Sequence, residues 1–250
     1  MDTSDLKGKT ALVTGASSGI GKAISKALVE NGCNLILIAK NIDKLRQTAE
    51  ELGNSTYISL DVSKKDDVKQ AFKELDNKID ICFNNAGIFK PTPLMGEDDD
   101  NFEQTIETNV YGPWYMTREV AKNMKRHQIQ GSIINIGSIR ANNFIKSGIS
   151  AYCLSKSAIQ QMTRVLALEL SAFNIRVNCI DPGVFQTPIT KENIAKNGDW
   201  IKTLIPLNFI AEPKEITTLA LYLASNQASS YVTGSCMTID GGASCLGSEH

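Results

Sequence analysis

The sequence is short of the features that would commit it to a membrane, to export or to nucleic acid. No run approaches the roughly 18 apolar residues of a bilayer span, and the opening stretch from Met1 to Lys9 carries no apolar core of a secretory leader. A charge excess is missing as well. With 26 Lys and Arg against 27 Asp and Glu the net charge is −1, which argues against a polyanion or an anionic lipid surface as the main partner. Aromatics make up only 6% of the chain, so the interleaved stacking residues of a nucleic-acid binder are lacking too. The six cysteines, at 33, 82, 153, 179, 236 and 245, form no C-x-x-C pair, and several sit in apolar runs where a free thiol behaves as a small hydrophobe. A reduced, cytoplasmic protein without a metal site is therefore expected. Nor is there a repeat, a linker or a shift in composition. The reading is one domain over 1–250, long enough to bury a sizeable core.

What is present centres on the stretch from Ser138 to Lys156, and within it on Tyr152-x-x-x-Lys156. Four residues apart on a helix, the two side chains share one face, so the Lys156 ammonium can bias the Tyr152 phenol. A phenol is a poor acid or base at neutral pH, and each pKa unit of depression represents about 1.4 kcal/mol of differential stabilisation of the phenolate. Ser138 ends an apolar run that reads as a buried strand, so its hydroxyl belongs where the carboxyl end of a strand opens onto a site. The chemistry suggested is proton exchange with a carbonyl or alcohol oxygen, Ser138 hydrogen-bonding that oxygen and Tyr152 exchanging the proton. A Tyr and a Lys at this spacing are by themselves a frequent accident. The remaining motifs carry the argument further.

In chain order, strand 10–14 turns at once into Gly15-Ala-Ser17-Ser18-Gly19-Ile20-Gly21 and then into a helical pattern through Leu28, the strand, glycine turn and helix start that a dinucleotide phosphate needs. A second strand, 34–39, ends in Ala39-Lys40-Asn41 with no carboxylate before Asp43, so Lys40 is placed to meet a ribose 2′-phosphate and the cofactor reads as NADP(H) in preference to NAD(H). Strands follow at 56–60 and 78–83, separated by helical patterns near 43–52 and 64–77, and then comes the turn Asn84-Asn85-Ala86-Gly87. An acidic run, 97–100, opens a helix expected over 102–126. Inside it Pro113 cannot donate to the carbonyl of Asn109, which predicts a kink and a free carbonyl able to hold a proton-relaying water beside Lys156. Strand 131–137, a long helix 152–171 and strand 174–180 lead to Asp181-Pro182-Gly183, then Val184 and Thr187. The following 25 or so residues read as irregular and apolar, a substrate lid at about 184–212. A last helix at 213–224 precedes a seventh strand and its turn within 235–242.

Taken together, these stretches resemble the short-chain dehydrogenase/reductase family over essentially the whole length. The matching pieces are T-G-A-S-S-G-I-G at 14–21, Asp61 after the third strand, N-N-A-G at 84–87, Asn109, Ser138, Y-C-L-S-K at 152–156, D-P-G at 181–183 with Thr187, and I-D-G-G at 239–242. The resemblance implies a doubly wound α/β (Rossmann) fold with a seven-stranded parallel sheet in the order 3-2-1-4-5-6-7. It also implies a catalytic set of Asn109, Ser138, Tyr152 and Lys156, the Tyr as acid/base, the Lys holding the nicotinamide ribose, the Ser positioning the carbonyl and the Asn supporting a proton relay. Cofactor contacts are implied at Gly15, Ser17, Ser18, Gly19, Ile20, Gly21, Lys40, Asp61, Val62, Asn85, Ala86, Gly87, Tyr152, Lys156, Pro182, Gly183, Val184 and Thr187, with Asp61 by the adenine and Thr187 by the carboxamide. Three positions depart from the family pattern: Asp181 where Asn is commoner, Gly137 where a second Ser is frequent, and Lys40 in place of the more usual Arg, a point charge where a bidentate fork is commoner.

The function expected is NADP(H)-dependent hydride transfer between the nicotinamide and a carbonyl or secondary alcohol. An NAD-dependent alcohol dehydrogenase is the first alternative. A 3-oxoacyl-thioester reductase is a second, although Phe173 and Asn174 put no cation where an acyl-carrier protein would be met. A non-catalytic NADP(H)-sensing protein should have lost Tyr or Lys, and this chain keeps both. A homodimer or homotetramer through the helices near 102–126 and 152–171 is implied by the resemblance alone.

Overall fold

Seven parallel strands build the protein, with helices on both faces, in a computed structural model that describes residues 2–96, 99–142 and 147–246. The strands are β1 Thr10–Thr14, β2 Asn34–Ala39, β3 Ser55–Ser59, β4 Ile81–Asn84, β5 Ser132–Ile136, β6 Arg176–Pro182 and β7 Cys236–Ile239, in the spatial order β3-β2-β1-β4-β5-β6-β7. The doubly wound order implied by the sequence is thus the observed one. Apolar runs are required because both faces of a parallel sheet are covered. Successive side chains still alternate. Ala11, Val13, Leu35 and Leu37 enter one core with Ile24, Leu28, Ala220 and Leu223, while Leu12, Ile36 and Ile38 enter the other with Val68, Met116, Val120 and Leu166.

The helices are α1 Gly19–Glu30, α2 Ile42–Leu52, α3 Lys65–Glu74, α4 Asp99–Ile106, α5 Gly112–Arg126, α6 Ser150–Ser171, α7 Lys191–Thr203, α8 Thr217–Ala224 and the short α9 Asn226–Ser229. Two expectations change. The helix expected over 102–126 is interrupted by a π-turn at Glu107–Tyr111, where the Gly112 amide bonds back to the Glu107 carbonyl. The cause is Pro113, which has no N–H for the regular ladder. The segment after Thr187, expected to be irregular, contains α7, broken only by a non-helical Asn197. Polar Asn193 and Asn197, with Gly198, dilute its apolar period. Its carboxyl end is held by a small satellite core of Ile139, Ile201, Ile205, Ile210 and Ala243. Of the acidic run, Asp99 and Asp100 open α4, and Glu97 and Asp98 lie outside the described residues, as do residues 143–146 of the Ser138–Lys156 stretch.

The strand order reverses beside β1, which pairs with β2 on one side and β4 on the other. Loops that follow strands on either side of a reversal diverge and leave a crevice at the carboxyl ends. Four buried side chains brace it: Asn84 donates to Thr117 Oγ1 (2.8 Å) and Asn135 Oδ1 (2.9 Å), and Asn135 donates in turn to Thr163 Oγ1 (2.9 Å).

Candidate active site

The crevice is a cleft of ≈ 420 Å³. Its floor is the turn after β1. Gly15 has φ +65° and Gly19 φ +52°, backbone that favours glycine. A Cβ on Gly15 would stand 2.7 Å from Asn85 Nδ2, and one on Gly21 would overlap the Gly15 carbonyl oxygen, so the turn is wedged against the next loop. Asn85 secures it by donating to the Thr14 carbonyl (2.9 Å) and the Gly15 carbonyl (3.3 Å), and Thr14 Oγ1 accepts the Asn85 and Ala86 amides, each at 3.0 Å. Here α1 begins with Ser18 as its cap, without a side-chain bond to the helix and without an acidic residue in the first turn. The amides of that helix end are therefore available to an anion.

At one end of the cleft Lys40, Asn41 and Asp61 meet. Lys40 Nζ lies 2.9 Å from Asp61 Oδ2. Burial pushes the Asp61 carboxyl up, but the bonds from Lys40 and Ser63 outweigh it and hold the group below its ordinary value. The lysine side chain is 72% exposed. Such a pair is worth about 1 kcal/mol or less, so Lys40 can exchange the carboxylate for another anion at little cost.

At the other end stand Ser138, Tyr152 and Lys156. Ser138 leaves β5 and caps a 3₁₀ turn, its Oγ accepting the Arg140 amide (3.1 Å), while its own amide donates to Asp181 Oδ1 (3.0 Å). Ser138 and Tyr152 line this end of the cleft together, close enough for the Ser138 hydroxyl to pull the Tyr152 phenol down. Lys156 Nζ is buried, donates to the Ile136 carbonyl (2.7 Å) and sits 5.7 Å from the centre of the Tyr152 ring. Phe89 packs edge-on against that ring at 5.1 Å. Asn109 lies behind them: its Oδ1 accepts the Ile88 amide (2.8 Å), and its Nδ2 donates to the Ile88 carbonyl (2.9 Å) and Ser155 Oγ (3.2 Å), clamping the loop after β4 to α6.

The electrostatics differ from the simple expectation that Lys156 lowers the phenol. Burial pushes the Tyr152 phenol up, and the Ser138 hydroxyl and the Arg140 guanidinium only partly offset it. The same burial pushes Lys156 down to about 8, against the pull of Cys179 and Asp181. Tyr152 is thus held as a neutral proton donor near pH 7, the form an acid needs to protonate a developing alkoxide.

The family profile described as Enoyl-(Acyl carrier protein) reductase matches residues 15–244. A 3-oxoacyl-(acyl-carrier-protein) reductase FabG of Chlamydia pneumoniae is 38% identical over 245 residues, covering 95% of this chain and 97% of the relative. A crystal structure of a short-chain type dehydrogenase/reductase from Mycobacterium marinum superposes with a TM-score of 0.91 at 37% identity, covering 98% and 99% of the two chains. The chain belongs to the short-chain dehydrogenase/reductase family. A gluconate 5-dehydrogenase from Burkholderia cenocepacia, solved in complex with NADP and tartrate, is similar at 28% identity and a TM-score of 0.89, covering 96% of each chain.

As a short-chain dehydrogenase/reductase the protein is an oxidoreductase of a family that binds nicotinamide cofactors, and its cleft joins a glycine turn and helix end, the Lys40–Asp61 pair, and Ser138, Tyr152 and Lys156. Gly15, Ser17, Ser18, Gly19, Ile20, Val62, Asn85, Ala86, Gly87, Pro182, Gly183 and Thr187 all line it. Gly21, Asn109 and Val184 are not among its lining residues. The first supports Gly15, the second clamps the Ile88 loop, and Val184 packs on the satellite core. Sequence reasoning passed over Lys44, which lines the cleft from the first turn of α2, and Phe89, whose contact with Tyr152 spans 63 positions that only the fold brings together. It also read no cation at Phe173. The structure places Lys125 Nζ 4.4 Å from the centre of that ring.

Proposed function

We propose that the protein is an NADP(H)-dependent reductase that converts a carbonyl to a secondary alcohol. The observation that carries this is the meeting of Ser138, Tyr152 and Lys156 in the cleft, with Lys156 Nζ 5.7 Å from the centre of the Tyr152 ring. When bound, the nicotinamide supplies the hydride. Ser138 Oγ holds the substrate oxygen and Tyr152 delivers the proton. The Lys156 ammonium binds the ribose of the cofactor, and Thr187, Pro182 and Gly183 hold the carboxamide end. The carbonyl of Asn109, opposite the missing N–H of Pro113 at the π-turn, holds a water that returns the proton from solvent. Lys40, released from Asp61, meets the 2′-phosphate, with Lys44 as a second cation at the same end.

Residues 184–212 close over the substrate as a lid within one domain spanning 1–250. Half-exposed Trp114 on α5, half-exposed Val165 and 78% exposed Leu168 on α6, and half-exposed Phe173 just beyond it support a homodimer or homotetramer, and the setting is the cytoplasm. A 3-oxoacyl thioester is the second substrate reading, favoured by the FabG likeness and by Lys125 at Phe173. Oxidation of NADPH and of NADH, followed at 340 nm against ketones, ketoses and 3-oxoacyl thioesters, tests both readings. Turnover with NADPH on one group supports the proposal, and a clear preference for NADH overturns the cofactor assignment. Lys40→Asp should move preference from NADPH toward NADH. An unchanged ratio would transfer the phosphate to Lys44.

A further inference from the structure

Behind Ser138, on the side away from the cofactor cleft, two thiols and a carboxyl form a cluster. Cys179 on β6 and Cys236 on β7 are register partners, and the Cys179 amide donates to the Ser235 carbonyl at 2.8 Å. Register partners on parallel neighbours point to the same face, with strands about 4.8 Å apart. Disulfides span Cα separations of about 4.4–6.8 Å, a range that includes the spacing of adjacent strands. The two sulfurs and an Asp181 carboxylate oxygen all lie within 4.8 Å of one another. Cys179 is buried and donates to Asp181 Oδ1 at 3.3 Å. Cys236 is half-buried and lines a second cavity of ≈ 120 Å³ with Gln160, Arg164 and Ser244, which gives a small oxidant a way in.

We propose that Cys179 and Cys236 are a hydroperoxide-oxidised dithiol whose disulfide acts on Ser138 through Asp181. Cys236 is the half-buried thiol at the second cavity while Cys179 is buried, and Arg164 at that cavity favours its thiolate, so Cys236 is the attacking sulfur. Its thiolate attacks a peroxide oxygen, the O–O bond breaks, and the leaving oxyanion takes a proton to become an alcohol or water, leaving Cys236 as a sulfenic acid. The Cys179 sulfur, its proton passing to the Asp181 carboxylate beside it, then attacks Cys236, the S–O bond breaks, and the leaving hydroxide takes up that proton and departs as water. Two thiols are oxidised by two electrons, and one hydroperoxide is reduced.

The cluster has the donor set of a three-ligand metal site, but Arg164 at the cavity and Lys156 beside Asp181 set positive charge against a dication. The effect on activity rests on the role proposed for Ser138. Oxidation removes the thiol donor to Asp181 Oδ1, the same oxygen that accepts the Ser138 amide, while Gln160 Nε2 stays on Oδ2 at 2.6 Å. Ser138 is then held by an altered partner.

The test is titration of the full chain with hydrogen peroxide, followed by alkylation and peptide mass mapping, with turnover read in parallel. The expected result is a loss of 2 Da, a cross-linked Cys179–Cys236 peptide and at least a several-fold fall in kcat, all reversed by dithiothreitol. Cys236→Ala should lose the cross-link, and Cys179→Ala should leave Cys236 to proceed to the sulfinic acid. Several results would overturn the proposal: both cysteines recovered reduced while Cys153 or Cys245 is oxidised, a cross-link between two chains, stoichiometric zinc removed by Cys179→Ala, or unchanged turnover in the disulfide form. The thiol and mass readouts need no substrate, so they stand even if the reductase reading fails.

Discussion

At the scale of single residues, the site is governed by desolvation more than by attraction. Tyr152 and Lys156 are both driven toward their neutral forms by burial, in opposite pKa directions. Replacement of Tyr152 by Phe removes the proton donor and leaves the packing against Phe89; kcat should fall at least about a hundredfold, and steady-state assay of Tyr152→Phe checks it. Retained turnover would assign the proton to another group. Because Lys156 titrates at about 8 in the free protein, kcat/KM for reduction should fall as pH rises through that value, where the ammonium is lost. A profile flat from pH 7 to 9 would remove Lys156 from cofactor binding. The two family departures behind Ser138 also belong together. A Cβ on Gly137 would overlap the Asp181 carboxylate and stand 2.7 Å from Cys179 Sγ, so the carboxylate occupies the space that a larger residue at 137 would need.

At the scale of elements, the clearest fastening is Arg176 at the start of β6. Its buried guanidinium donates to the carbonyls of Leu223 (2.9 Å), Ser225 (3.4 Å) and Val232 (3.3 Å) and to Asn226 Oδ1 (2.9 Å), tying β6 to α8 and α9. Burial pushes this group down to about 10, yet it remains charged at neutral pH. A lysine has one ammonium and cannot reach acceptors spread along two helices and a loop. Arg176→Lys should therefore cost about 2–3 kcal/mol by leaving buried carbonyls unpaired, a fall in Tm of roughly 4–12 °C for a chain of this size. Calorimetry checks it, and an unchanged Tm would mean that water replaces the lost bonds.

At the scale of the whole molecule, buried charge makes stability depend on pH. Lys156 binds its proton less tightly when folded, at about 8, than in the unfolded chain, at about 10.4. Between those values the unfolded state binds more protons, so this group makes stability rise with pH across that window, by at most about 1.4 kcal/mol per pH unit. Tyr152, raised on folding, acts oppositely only above about pH 10. Urea melts of the wild type and Lys156→Met from pH 7.5 to 9.5 should show the wild type gaining on the variant as pH rises; parallel curves would mean that Lys156 is not desolvated. Much of this molecule was legible in the chain. Apolar runs of strand length, the glycine turn and Pro113 act through local geometry, and they determined the strands, their order by resemblance, the phosphate turn and the break at 107–111. The chemistry-bearing side chains Ser138, Tyr152 and Lys156 were legible by spacing. The ion pair of Lys40 with Asp61, Phe89 on Tyr152, Lys125 over Phe173, the helix at Lys191–Thr203 and the Cys179–Asp181–Cys236 cluster were decided only by tertiary structure. Each depends on contacts between residues far apart in the chain or on burial of a weakly periodic segment, and desolvation has no value until the surrounding atoms are in place.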